Sequence, residues 1–144
     1  MPHLAKGMIA DFEVTAAAGQ AVVPEPKADQ EVKLLDFSFV LPQTIKPGKQ
    51  IWKVSNIGQQ PHEMMLLKLG AGKTLDDALA FMKNPTGAPP FADVGGYQAV
   101  NPSVTGWLSL DLAAGNYIAI CHVPDPASHK EHADLGMLLP FTVQ

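Results

Sequence analysis

Apolar and polar positions along this chain alternate with the two-residue period of a half-buried strand in several short stretches. Leu35, Phe37 and Phe39 alternate within EVKLLDFSFV (31–40), and the pattern stops short of Pro42. Lys46-Pro47-Gly48-Lys49 reads as a turn, and QIWKVSN (50–56) follows as a strand. HEMMLLKL (62–69) is a continuous apolar run, short enough for a buried strand. WLSLDL (107–112) alternates through Leu108, Leu110 and Leu112. Ala114-Gly115-Asn116 then turns the chain into YIAIC (117–121), and MLLPFTV (137–143) closes the series. The period changes once. Leu75, Leu79 and Met82 fall at helical spacing after Thr74-Leu75-Asp76-Asp77, which fits a capping box, and Asn84-Pro85 ends the stretch. TGAPPFADVGG (86–96) reads as a turn-rich loop. Short strands punctuated by Gly and Pro, with one inserted helix at about 75–83, predict an all-β sandwich.

Composition narrows the choice. The 144 residues are 47% hydrophobic and 17% charged, a globular balance that excludes general disorder. No apolar run reaches the length of a membrane span, and MPHLAKGMIADFEV lacks the regions of a signal peptide. The net charge is −4 and all 10 cationic residues are Lys, which argues against nucleic-acid binding. Cys121 is the only cysteine, so it has no internal disulfide partner.

A repeat bears on the domain organisation. PHLAKGMIADFEV (2–14) and EHADLGMLLPFTV (131–143) match at His3/His132, Gly7/Gly136, Met8/Met137, Phe12/Phe141 and Val14/Val143, all in one register. The expectation is a fragment of a tandem-repeat protein. Residues 1–15 would be the last strand of a truncated preceding unit, 16–30 a linker rich in Ala, Pro, Gly and Gln, and 31–144 the domain proper.

Four side chains form a candidate metal site: His62, Cys121, His132 and Met137. Taken singly, each has an ordinary structural reading. As a set, a thiolate, two imidazoles and a thioether are soft or borderline ligands, and trigonal His2Cys coordination with a weak axial Met selects copper. Zinc would ask for a fourth strong ligand instead. His129 lies in the same loop but lacks the four-residue gap to Met that His132 has. His122 follows Cys121 directly, and strand alternation turns it to the opposite face.

The order of these pieces resembles the cupredoxins, the plastocyanin-like group. The motifs are SNIGQQPHEMML (55–66) around the first His, then Gly115-x-Tyr117-x3-Cys121, then His132-x4-Met137, then the closing strand through Thr142-Val143. The resemblance covers about residues 31–144 and implies an eight-stranded Greek-key cupredoxin-like β-sandwich with a metal at one end. Two departures stand out. Ten residues, HVPDPASHKE, separate Cys121 from His132, where small electron carriers of the family have a much shorter loop and copper nitrite reductases a longer one. Glu63 stands where plastocyanin-like members commonly have Asn.

What the resemblance implies is a type 1 copper protein, not itself an enzyme. It would pass one electron to a redox partner protein, from an extracytoplasmic, periplasmic or secreted location. His132 would be its electron port, with Met64, Pro124 and Leu138 keeping water away. Two other readings stay open: a metal-free cupredoxin-like interaction or scaffold domain, and a module of a larger multidomain copper oxidoreductase.

Overall fold

The structure, a computed structural model, describes residues 6–8, 10–13, 15, 19 and 23–144. Much of the expected strand at 1–15 and of the linker at 16–30 lies outside the described residues, including His3 and Val14 of the repeat. Among the described residues lie eight strands and one α-helix: β1 (Gln30–Leu35), β2 (Ser38–Val40), β3 (Gly48–Asn56), β4 (His62–Leu69), α1 (Leu75–Lys83), β5 (Phe91–Val100), β6 (Thr105–Leu112), β7 (Gly115–Ile120) and β8 (Leu138–Val143). They form two four-stranded sheets, ordered β2-β1-β3-β6 and β5-β4-β7-β8. Only β1 and β3 pair in parallel among the strands of these sheets; the other pairs are antiparallel. This is the all-β sandwich expected from the alternation.

Sheet alternation explains the continuous apolar run at 62–69 and the apolar make-up of 117–121. On β4, Met64 and Leu66 point between the sheets, and on β7 so do Tyr117 and Ala119, followed by Cys121. The intervening Leu67, Ile118 and Ile120 face outward, where α1 covers them with Ala78. Strands covered on both faces need no polar positions, so both read as unbroken apolar stretches. Burying each large side chain here contributes about 1.5–3 kcal/mol before the entropy of ordering it. The helix carries the expected capping box: the Asp77 amide donates to Thr74 Oγ1 and the Thr74 amide donates to the Asp77 carboxylate. Its packed face differs from the expected stripe, since Ala78 is fully buried while Leu79 is exposed.

Two expectations are corrected. EVKLLDFSFV is a hairpin, with Asp36-Phe37 as the turn and Phe37 at φ 62°. That left-handed residue breaks the alternation that Leu35, Phe37 and Phe39 suggested. The expected loop at 86–96 gives way, from Phe91 on, to β5, a strand lying at the sheet edge. It pairs with β4 through register shifts and buries little, so no apolar period marks it. Among the described residues, no helix is long and apolar enough to cross a membrane.

Candidate metal centre

The four expected residues arise at one end of the sandwich. His62 opens β4, Cys121 directly follows β7, and Met137 directly precedes β8. His132 begins a single 3-10 turn, His132–Leu135, and its amide bonds the Val123 carbonyl at 2.9 Å. The chain must then reverse at once. Gly136 does this at φ 114°, a conformation that disfavours any side chain, and the Met137 amide reaches back to the His132 carbonyl at 2.8 Å. The Cys121 amide donates to the Met137 carbonyl and the Ala133 amide to the Cys121 carbonyl. Cys121, His132 and Met137 are thus tied by backbone hydrogen bonds before any side chain is considered.

The ten-residue stretch between Cys121 and His132 closes on itself. Pro124 and Glu131 form an isolated bridge, the Asp125 amide donates to the Lys130 carbonyl, and Asp125 Oδ2 accepts from the Ser128 amide. The excursion therefore leaves its two ends side by side, and its length does not separate Cys121 from His132. His129 is exposed at its tip, as expected, with φ 58°. His122 faces away from the centre, its Nδ1 2.6 Å from Glu131 Oε2.

His62, Cys121 and His132 each bring one ligand atom, a ring nitrogen or the thiol sulfur, within 4.8 Å of the others, all three residues buried. The two Nδ1 atoms are 3.0 Å apart, and His132 Nδ1 is 3.5 Å from Cys121 Sγ. Met137 is fully buried in the same apolar cluster as Cys121 and Met64.

The outer nitrogens fix the tautomers. His62 Nε2 lies 2.9 Å from Asp36 Oδ1. Burial would raise the pKa of Asp36, but hydrogen bonds from His62 and from the Gln59 and Gln60 amides outweigh it and hold the carboxyl below its usual range. An ionised carboxylate only accepts, so His62 Nε2 carries the proton. His132 Nε2 lies 3.0 Å from Gln60 Oε1, whose own Nε2 donates to Asp125 Oδ1 at 3.0 Å. Gln60 therefore presents its oxygen, and His132 Nε2 also carries its proton. Both Nδ1 lone pairs consequently point inward, toward each other and the sulfur.

That donor set suits a metal ion. Only a shared proton or a cation relieves two facing lone pairs, and only a soft cation also engages the sulfur. Burial, then the repulsion that a second cationic ring beside His62 would meet, lowers the pKa of His132 and favours the neutral imidazole that a metal requires. Burial pushes the Cys121 thiol up; the Glu63 and Val123 amides oppose this weakly, and the Glu63 and Glu131 carboxylates add to it. A coordinating cation reverses that balance by stabilising the thiolate directly.

Glu63 takes over a bracing role at the position where the resemblance leads one to expect Asn. Its amide lies 3.5 Å from Cys121 Sγ and its Oε1 accepts from the His122 amide at 2.9 Å. The residue expected to be the electron port does not reach the surface. His132 is fully buried, with the Phe37 ring edge-on at 5.3 Å and 89°. Of the expected water-excluding neighbours, Met64 is buried, Leu138 is partly buried and Pro124 is exposed. Asp36, Phe37 and Gln60 were missed as site residues. An Asp between two apolar runs is a turn signal, and it would have placed the hairpin bend at this end of the sandwich.

No protein-family model matches the chain, and no curated protein matches it. Solved structures do. Dithionite-reduced auracyanin from the photosynthetic bacterium Roseiflexus castenholzii superposes with a TM-score of 0.53 at 20% identity, covering 79% of this chain and 94% of that one. Auracyanin A, a blue copper protein of Chloroflexus aurantiacus, gives 0.47 at 19% identity over 79% and 99% of the two chains. Auracyanin B gives 0.48 at 18% identity over 85% and 94%. The likeness to the first establishes the fold, a cupredoxin β-sandwich.

Proposed function

We propose that this cupredoxin-fold chain is a type 1 copper protein that carries single electrons. The observation that supports it most is the pair of imidazoles whose tautomers are set from outside, so that two Nδ1 lone pairs face each other at 3.0 Å, with Cys121 Sγ 3.5 Å from that of His132. His62, Cys121 and His132 would hold the metal, with the Met137 thioether as a further, weaker donor. Bound copper supplies a one-electron couple. The chain's part is to keep the donors in one geometry for both oxidation states. The buried surroundings exclude water, the backbone bonds among Cys121, Met137 and His132 resist rearrangement, and the outer hydrogen bonds hold both rings.

Electrons would enter over the β1–β2 turn, because Phe37 and Asp36 stand between the two imidazoles and solvent. A redox partner protein would dock there. The resemblance to cupredoxins favours an extracytoplasmic setting. The repeat shared by 2–14 and 131–143 favours a domain at 31–144 that follows another of its kind.

Copper titration of the wild type and of Cys121→Ser tests the reading. It expects one copper per chain, tightly held only with the thiol present. Equal copper binding by both proteins would contradict it.

A further inference from the structure

The two imidazoles of the centre are anchored by unlike partners. His132 Nε2 donates to a neutral amide, Gln60 Oε1, whereas His62 Nε2 donates to a carboxylate, Asp36 Oδ1. We propose that Asp36 is a positioning residue that orients His62 and biases the centre toward Cu(II). This rests on the copper reading of the site.

The geometry is built for that contact. The carboxylate is fixed by the loop leading into His62: Gln59 donates its amide to Oδ1 at 2.8 Å and Oδ2 at 3.0 Å, and Gln60 donates to Oδ1 at 3.1 Å. Buried Asn56 shapes that loop, donating to the Gln60 carbonyl at 2.8 Å and accepting from the Gly58 amide at 3.0 Å. Gly58 packs directly on the pair. A Cβ there would stand 2.5 Å from Asp36 Oδ1 and 2.8 Å from His62 Nε2, so residue 58 has no room for a side chain while the pair is in place. His62 is fully buried, and its ring is held at Nε2 by Asp36.

A carboxylate on the outer N–H of a ligand histidine strengthens the inner nitrogen as a donor. The extra electron density and the nearby negative charge favour the ion of higher charge, since Coulomb attraction scales with that charge. Asp36 therefore lowers the reduction potential, a bias that the neutral Gln60 does not give through His132.

Asp36→Asn keeps an acceptor oxygen and removes the charge. The expected result is a loss of Cu(II) affinity relative to Cu(I) of about tenfold, the low end for outer partners of ligands, which is a rise in potential of about 59 mV for a one-electron couple. Gly58→Ala, which displaces the carboxylate while retaining it in the chain, is expected to move the potential the same way and serves if the first variant does not fold. An unchanged potential, with both affinities falling together, would overturn the bias and leave Asp36 as a loop brace. Nitrogen NMR of the metal-free protein reads the orientation separately. The proposal requires the His62 proton on Nε2 in the wild type and a mixed tautomer in Asp36→Ala; a wild-type proton on Nδ1 would overturn it even if copper binds. Were the wild type to bind no copper, the copper reading and the bias would fall, and the tautomer would still decide whether Asp36 orients His62.

Discussion

Gln60 accepts the Nε2 proton of His132 at 3.0 Å while its own amide donates to Asp125 Oδ1 at 3.0 Å. The glutamine thus links the loop leading into His62 to the excursion between Cys121 and His132. Gln60→Leu removes the acceptor and leaves the His132 ring free to change tautomer. Copper affinity measured by competition with a chelator is expected to fall about 10- to 100-fold, the usual effect of losing such a partner. Unaltered affinity would mean that the ring is held by packing alone.

Phe37 covers the His132 ring edge-on at 5.3 Å. Phe37→Ala is expected to speed reduction of the copper-loaded protein by a small soluble reductant, read by stopped-flow. The same variant relieves little backbone strain, since alanine also disfavours φ 62°. An unchanged rate would show that electrons reach the centre by another face.

Acid should loosen the Cys121–His132 excursion. Ser128 and Gln60 hold the Asp125 carboxyl below its ordinary value of 3.8 by hydrogen bonding, with burial opposing. Because the folded pKa is depressed, the unfolded state binds the proton first. The contribution is fully present above about pH 3.8 and is lost as pH falls through the folded value. Asp36 acts in the same direction. Urea unfolding of metal-free protein from pH 6 downward is expected to show stability falling fastest in that window, and Asp125→Asn should flatten the fall.

Glu63 accepts the His122 amide at 2.9 Å, and Glu63→Ala leaves that amide without its partner. The expected loss is about 1–2 kcal/mol of stability in urea unfolding, the cost of an unmet donor in a partly buried place. No loss would indicate that solvent replaces the carboxylate.

The candidate site was legible because its chemistry is in the residue types: His62, Cys121, His132 and Met137 stand out by kind and order. Most strands were legible from alternation, β4 from an apolar run that reflects cover on both faces, and β7 from the turn that precedes it. Asp36 and Gln60 were not. Their roles come from tertiary placement, with Asp36 reaching His62 across 26 residues and Gln60 reaching His132 across 72. Neither spacing leaves a mark on the sequence. Phe37 misled for a local reason, since its place in the alternation matches a strand while its backbone is a left-handed turn. β5 was hidden because an edge strand that buries little has no apolar period to read. The buried state of His132 was equally invisible, because a polar loop in sequence folded beneath a hairpin turn remote from it.

The central claim is that Cys121, His62 and His132 together bind copper through a thiolate. An optical spectrum of the protein after adding one equivalent of Cu(II) tests it most directly. The account predicts an intense visible thiolate-to-copper charge-transfer band that saturates at one copper per chain and vanishes in Cys121→Ser. A spectrum with only the weak absorption of nitrogen- and oxygen-bound Cu(II) would contradict it.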